Sequence, residues 1–330
     1  MEKLKINGNE VVISDLDRPL TPEELLEKSK GVDGLFSLLT DRIDADLMDA
    51  IGPQLKIISN YAVGFDNIDV KAAADRGIIV TNTPSDEVNE AVAEHTWALI
   101  LALARRVVES DEFVRHQGYF AETGGYKGWE PDLFLGPSVK GKTLGIIGLG
   151  RIGTMVAIRA KGYDLTVLYN KHEPDAAAEA DFGIKFVPLD ELLSKSDFVT
   201  LHVPLTDETR GMISKAWPFG QNKNTLSMMK KGSYLVNTAR GPIVDESDLI
   251  EALEGGKLAG AALDVFESEP NVSPKLISMP NVIMTPHIAS ATFEARQKMG
   301  EQAVGAILDV IDNVKPENMV DETIWDKRRK

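Results

Sequence analysis

The chain has no cysteine in its 330 residues. That excludes a disulfide framework, a thiolate nucleophile and a Cys-ligated metal site. It also fits a cytoplasmic protein without requiring one. Long apolar runs are missing too. The nearest, Trp97 to Ala104, is too short for a membrane span and is flanked by charges, so no membrane is expected as a partner. The N-terminal Met1-Glu2-Lys3-Leu4-Lys5 has neither the apolar core nor the cleavage site of a secretory signal. Positive charge is in short supply: the formal net charge is −15, which argues against a nucleic-acid partner. The one basic cluster, Lys327-Arg328-Arg329-Lys330, is short and terminal and reads as a solvated tail. What remains is an ordinary soluble globular composition, 43% hydrophobic and 26% charged, long enough for two domains with full cores.

The stretch around which the rest is organised is Gly148-Leu149-Gly150-Arg151-Ile152-Gly153. It directly follows the apolar run Thr143 to Ile147 and directly precedes a helical pattern. In such a strand, turn and helix the first glycine allows the turn and the second lets backbone N–H groups approach a pyrophosphate. The third lets helix and strand pack closely, and the phosphates sit at the helix N-terminus. Taken alone, the glycine pattern also occurs in plain turns. Its context is a second apolar run, Leu165 to Tyr169, which ends about 20 residues on, where the ribose-binding residue is expected. That residue is Asn170, not Asp or Glu.

The spacing predicts two α/β units with parallel sheets. In the first, strand-like runs at Val11-Val12-Ile13, Leu35 to Leu39, Lys56 to Ser59 and Ile78 to Thr81 alternate with helical patterns. These lie at Thr21 to Lys30, Asp44 to Ile51 and Val70 to Arg76, and Thr21 and Pro22 form a helix start. A long helix is expected from Glu87 to Gln117, with Ala91, His95, Ala98, Leu99, Ala102 and Leu103 on one face. The loop Gly118 to Lys140 has no clear period, and its Trp129 and Phe134 are expected to be buried, within the chain or against another subunit. The second unit opens at Gly141, with further strands expected near Ile184, Phe198, Tyr234, Gly260 and Val282, apolar on both faces. A closing helix, Thr292 to Asn313, is long enough to return to the first unit.

Three segments follow strand-like runs of the second unit, where open α/β sheets place their ligand crevice. They are Asn237-Thr238-Ala239-Arg240-Gly241, Asp264 to Pro270, and Thr285-Pro286-His287-Ile288. Reducing a 2-keto acid by hydride transfer needs four things: a cation for the carboxylate and carbonyl, a proton donor, a group that keeps the donor charged, and a fixed nicotinamide. Arg240 suits the first, because its planar fork grips a carboxylate and keeps its charge. His287 suits the second, with an unperturbed pKa of about 6.5 that a carboxylate partner would raise. Glu269 could be that partner, and Asp264 could accept from the nicotinamide carboxamide. Taken singly, Arg240 could be salt-bridged, His287 structural, and Glu269 mere turn chemistry before Pro270. All three, however, fall at strand ends of one sheet.

The set GLGRIG, NTARGPIVDE, ALDVFESEP and TPHIASAT resembles the D-isomer-specific 2-hydroxyacid dehydrogenase family, and within it the glyoxylate and hydroxypyruvate reductases, from roughly Leu35 onward. The resemblance implies an α/β fold of two doubly wound parallel-sheet domains. A Rossmann-type NAD(P)-binding domain, residues 91–289, would be inserted in a flavodoxin-like substrate domain made of residues 1–90 and 290–330. It implies a catalytic trio of Arg240, Glu269 and His287. Glu269 also separates the chain from formate dehydrogenases, which carry glutamine there. Asn60 to Asp69 resembles the segment whose N–H groups, here Val63 and Gly64, bind the substrate carboxylate together with Arg240 and His287. His202 to Thr206 resembles the segment flanking the adenine, which assigns Val203 and Pro204. The cofactor set then comprises Gly148, Gly150, Arg151, Ile152, Gly153, Asn170, Lys171, His172, Val203, Pro204, Thr238, Ala239, Arg240 and Asp264, with no metal. Family members dimerise through the second domain, which implies a homodimer, with an aromatic near Trp129 reaching the neighbour's active site.

At Asn170 an acidic side chain would bind the 2′-hydroxyl of NAD and repel the 2′-phosphate of NADP. Its absence, with Lys171 and His172 next to it, points to NADP(H) as the preferred cofactor. If Lys171 is only a solvated loop residue, NAD(H) is used as well. The partner is a small 2-keto or 2-hydroxy acid. Only the neighbourhood of Leu38, Leu39 and Tyr61 bears on its size, so a D-lactate-type or broad 2-keto-acid dehydrogenase stays open. So does a dinucleotide-sensing, co-repressor-like binding protein. Two departures from the family stand out. A first strand and helix ahead of Val11 are missing or unrecognisable, through truncation or a start codon set too far downstream. In addition, Lys215 to Asn224 looks like an insertion, read as an ordered surface loop.

Overall fold

The structure is a computed structural model that describes residues 4, 8–116, 128–220 and 222–329. It comprises two compact units, Met1–Val88 with Ala291–Lys330, and Asn89–Ser290.

In the first unit, β1 (Gly34–Ser37), β2 (Ile57–Asn60) and β3 (Ile79–Thr81) form a parallel sheet in the order β1-β2-β3. The central strand is buried along its whole length, and its side chains alternate between two cores. Ile58 joins Leu35, Met48, Leu55 and Ile68 on one face, and Ile57 joins Ile79, Val304 and Ile307 on the other. The second core is closed by the helix Phe293–Ile311, whose Ala303 carbonyl accepts from Ser59 Oγ at 3.0 Å. Helix starts follow capping chemistry. Thr21 Oγ1 accepts from Glu24 N while the Glu24 carboxylate accepts from Thr21 N, and Asp44 and Asp69 cap the next two helices.

Two sequence expectations need correction here. Val11 to Ile13 form no strand, and Val12 and Ile13 are 56% and 49% exposed. Three apolar residues give no register unless a neighbouring strand supplies one. Nor are Arg328 and Arg329 of the basic cluster left to solvent. Arg328 lies 3.5 Å over the Trp325 ring, and Arg329 donates to the carbonyls of Arg76, Gly52 and Leu55. Two of these carbonyls end helices, where they have no partner within the helix, and the guanidinium supplies one.

Among its described residues the second unit holds seven parallel strands: β4 (Thr143–Ile147), β5 (Thr166–Asn170), β6 (Lys185–Phe186), β7 (Phe198–Leu201), β8 (Ser233–Asn237), β9 (Leu258–Leu263) and β10 (Val282–Met284). Their order is β10-β9-β8-β7-β4-β5-β6, so the direction of winding reverses between β4 and β7. Ligands of doubly wound sheets bind beyond the strand ends at such a switch point. Two cores cover the faces, one built around Leu201, Leu235 and Leu263 and the other around Ile146, Tyr169 and Val236.

The long helix expected from Glu87 is two helices, Asp86–Arg105 and Val107–Arg115, and Gln117 lies outside the described residues. Arg106 breaks it in a left-handed conformation at φ 51°, with its guanidinium bound to Glu109 at 2.9 and 3.0 Å. Trp129, expected to be buried, is 82% exposed in the chain, while Phe134 is half-buried against Phe113 and Arg106. In the 215–224 segment Trp217 packs against the core and donates from Nε1 to the Glu208 carbonyl at 2.8 Å. Lys215 N donates to Asp248. Among the described residues no helix is long and apolar enough to cross a membrane.

Candidate active site

The glycine turn follows β4 and opens the helix Arg151–Ala160. Its three glycines have three different reasons. Gly148 sits at φ 96°, and a Cβ there would lie 2.4 Å from the His202 carbonyl oxygen. A Cβ on Gly153 would lie 2.1 Å from the Gly148 carbonyl oxygen, so helix and turn can touch only without one. Gly150 meets nothing within 4 Å, and no side chain caps the helix there. An uncapped helix N-terminus reached over open backbone fits a pyrophosphate. Val203 Cγ1 borders the same turn, Pro204 and His172 are exposed, and Arg151 projects from the surface of the first helical turn. Ile152 packs against the core beneath.

At the end of β5 the Asn170 amide donates to the Val187 carbonyl at 2.9 Å, and Lys171 Nζ lies 3.3 Å from Asp175 Oδ2. After β7 comes His202, whose Nε2 is buried without a partner among the described residues. Burial drops its pKa to about 3, so the ring is neutral near pH 7. The folded chain takes up a proton at this ring far less readily than the unfolded one, so stability is whole above the unfolded value and is lost as pH falls from there toward 3. Between about pH 7 and pH 5 this group should cost the fold about 2 kcal/mol. Urea unfolding at both pH values should show that loss in the wild type and a smaller one in His202→Gln; equal losses would refute it.

Three strand ends carry the predicted trio. Beyond β8, Asn237 clamps the turn, with its amide donating to the Arg240 carbonyl at 2.9 Å and its Oδ1 accepting from Ala239 N at 3.0 Å. Arg240 is half-buried, and Nη1 donates to the Ala239 carbonyl. Gly241 lets this turn press on the next segment, since a Cβ there would be 1.8 Å from the Phe266 carbonyl oxygen. Thr238 Oγ1 lies 3.0 Å from Thr96 Oγ1. Beyond β9, Glu269 Oε1 accepts from Phe266 N at 2.9 Å and Oε2 lies 3.0 Å from His287 Nδ1. Burial raises the Glu269 pKa, but the bonds from His287 and Phe266 N and the charges of His287 and Arg240 outweigh it and hold it below the usual value. Glu269 is therefore a carboxylate that accepts from Nδ1–H, and His287 Nε2 has no partner among the described residues.

Asp264 is fully buried. Its Oδ1 accepts from Thr285 Oγ1 at 2.6 Å and Ile288 N at 2.9 Å, and its Oδ2 from Ala289 N at 2.8 Å. In the folded chain this carboxylate anchors the loop that carries His287.

Val63 and Gly64 belong to the first unit. Asn82 Nδ2 donates to the Val63 carbonyl at 2.7 Å and Asn60 Nδ2 to the Gly64 carbonyl at 2.9 Å. Their own N–H groups have no partner among the described residues. Tyr61 Oη donates to the Arg296 carbonyl at 2.8 Å, and Leu38 is 41% exposed. Asn82 and His95 stand in no functional motif of the sequence, and Asn60, Asn237 and Thr285 stand in such segments without a role of their own there. Their signal is a polar residue inside or just after an apolar run, as with His95 on the apolar face of its helix.

A seven-stranded sheet with this switch point and glycine turn defines a dinucleotide-binding dehydrogenase unit. Residues 97–289 match the model of the D-isomer specific 2-hydroxyacid dehydrogenase NAD binding domain. A glyoxylate reductase of Thermococcus onnurineus is 44% identical over 97% of this chain and 92% of its own length. A crystal structure of a Thermus thermophilus protein superposes with a TM-score of 0.86 at 40% identity, covering 97% of this chain and 96% of that one. An NADPH-dependent glyoxylate/hydroxypyruvate reductase of Sinorhizobium meliloti, solved with NADP and malonate, superposes with a TM-score of 0.78 at 34% identity, covering 91% and 87%. The chain belongs to the D-isomer-specific 2-hydroxyacid dehydrogenase family and is an NAD(P)-dependent oxidoreductase acting on CH–OH groups.

Proposed function

We propose that the chain reduces a small 2-keto acid, glyoxylate or hydroxypyruvate, to the D-2-hydroxy acid with NADPH, and that His287 donates the proton. The observation that carries this reading is the 3.0 Å contact between His287 Nδ1 and a Glu269 carboxylate held below its usual pKa. Such a partner fixes the ring and stabilises an imidazolium. When bound, a dihydronicotinamide cofactor would supply the hydride for the carbonyl carbon. His287 Nε2–H gives its proton to the carbonyl oxygen, and Arg240 draws charge onto that oxygen and holds the carboxylate. The N–H groups of Val63 and Gly64, without a partner among the described residues and with their carbonyls pinned by Asn82 and Asn60, suit a carboxylate as well. The helix start at Gly150, Arg151, Ile152 and Gly153 would hold the pyrophosphate, Val203 and Pro204 the adenine, and Thr238, Ala239 and Asp264 the neighbourhood of the nicotinamide.

Substrate and cofactor are tested together by steady-state oxidation of NADPH and of NADH with glyoxylate, hydroxypyruvate and pyruvate. Faster turnover of the first two acids with NADPH supports the reading. Binding of NAD(H) without turnover of any acid overturns it in favour of a dinucleotide-sensing protein. For the cofactor, Lys171→Ala should narrow the preference for NADPH about tenfold, the value of one charged hydrogen bond to the 2′-phosphate. An unchanged preference would remove Lys171 from the site.

The proposed assembly is a homodimer formed through the second unit. Trp129, Leu135 and Val107, 82%, 67% and 52% exposed, support it as apolar side chains left facing water. Light scattering of the purified protein tests this, and a monomer would refute it.

A further inference from the structure

The helix Asp86–Arg105 contributes one imidazole to the loop that carries the proposed proton donor. His95 Nε2 lies 3.1 Å from Thr285 Oγ1 and 3.5 Å from Asp264 Oδ1. Proton accounting fixes its role. A threonine hydroxyl has one proton, and Thr285 gives it to Asp264 Oδ1 over 2.6 Å. Thr285 Oγ1 must therefore accept from His95, so Nε2 carries a hydrogen whether the ring is neutral or charged.

The carboxylate at the centre of this network is fully buried. A buried carboxylate needs donors around both oxygens, and here they are His95, Thr285, Ile288 N and Ala289 N. The same residue also accepts from His287 N through its own carbonyl at 2.9 Å. Asp264 thus holds three consecutive N–H groups, those of residues 287, 288 and 289. That grip is needed because His287 sits at φ 54°, in the left-handed region that a residue with a side chain adopts only when its surroundings hold it there. With the backbone so fixed, the ring places Nδ1 on Glu269.

We infer that His95 is a positioning residue of the reaction. Its Nε2–H, given to Thr285 and Asp264, fixes the loop 285–289 and thereby the direction in which the His287 ring points. No hydrogen bond joins His95 to Arg240, Glu269 or the His287 side chain among the described residues, so it acts through the loop. The inference rests on His287 being the proton donor, and it extends that reading to a residue on a different element.

The test is a series of purified variants, His95→Phe, His95→Gln, Thr285→Val, the double variant of His95→Phe with Thr285→Val, and His287→Ala. For each, kcat and KM for glyoxylate, the dissociation constant of NADPH and Tm are measured. The phenyl ring keeps the volume and loses the donor, while glutamine returns a donor at nearly the same reach. A small misplacement of a catalytic group is enough to cut turnover strongly. His95→Phe should therefore lower kcat about tenfold, with the NADPH dissociation constant changed by less than about twofold. His95→Gln should recover most of the loss, Thr285→Val should reproduce it, and the double variant should be no worse than the worse single one. A protein destabilised in general would not separate kcat from cofactor binding, nor be rescued by glutamine alone.

Wild-type kcat in His95→Phe, or failure of His95→Gln to recover activity at wild-type Tm, overturns the inference. If His287→Ala is inactive while His95→Phe is normal, the inference alone fails. If His287→Ala turns over normally, the reading beneath it fails and the inference falls with it.

Discussion

His287→Ala is expected to lower kcat for glyoxylate reduction by about a thousandfold, within the range that a general acid contributes. The NADPH dissociation constant, followed by quenching of protein fluorescence, should stay within about twofold, because the glycine turn at 148–153 shares no hydrogen bond with this ring. The split follows from the geometry. The substitution removes a ring held by Glu269 through Nδ1 and leaves untouched the Asp264 carboxylate that grips the neighbouring N–H groups. Loss of NADPH binding in step with kcat would count against the assignment. So would turnover within about tenfold of wild type, since water at the vacated position does not match a positioned acid.

The second large effect is expected at Arg240. Arg240→Lys should reduce kcat/KM about a hundredfold, raising KM and lowering kcat together. A lysine keeps the charge but cannot offer two parallel N–H donors to a carboxylate, and one charge-assisted hydrogen bond is worth roughly 1.5–3 kcal/mol. The fork is pre-set by the chain: Asn237 fixes the turn from both sides, and Gly241 lets it close onto the segment holding Glu269. A change confined to KM would mean that Arg240 binds the carboxylate without acting on the carbonyl oxygen, and unchanged kinetics would remove it from the site.

Much of the cofactor half is legible in the sequence, because glycine requirements are local. A turn at φ 96°, an open helix start and a close helix contact are each written as one absent side chain, at Gly148, Gly150 and Gly153. The cap at Thr21 is legible for the same reason, since a cap and its N–H partner are three residues apart, and the structure adds Asp44 and Asp69 as caps of the same kind. The short apolar runs became strands within a residue or two where a neighbouring strand existed. Val11 to Ile13 had none and stayed irregular. Arg106 is the clearest local surprise: the apolar period runs straight through it, and the break depends on a left-handed backbone and a guanidinium bound to Glu109.

The dinucleotide turn could be read from residue type and spacing alone and the family from the resemblance of its motifs, while Arg240, Glu269 and His287 stand out in the sequence as polar residues placed shortly after apolar runs. The fold was needed to bring Glu269 Oε2 within 3.0 Å of His287 Nδ1, 18 residues away in sequence. It was also needed to set His95 against Thr285, 190 residues away, and to wrap the C-terminal Arg329 onto helix ends more than 250 residues earlier. The physical reason is one of range. Backbone conformation and capping are decided by neighbours in sequence, whereas a hydrogen bond between distant side chains exists only after the sheet order has placed their strand ends side by side. That order, with its reversal between β4 and β7, is a property of the packed sheet and not of any stretch of residues within it.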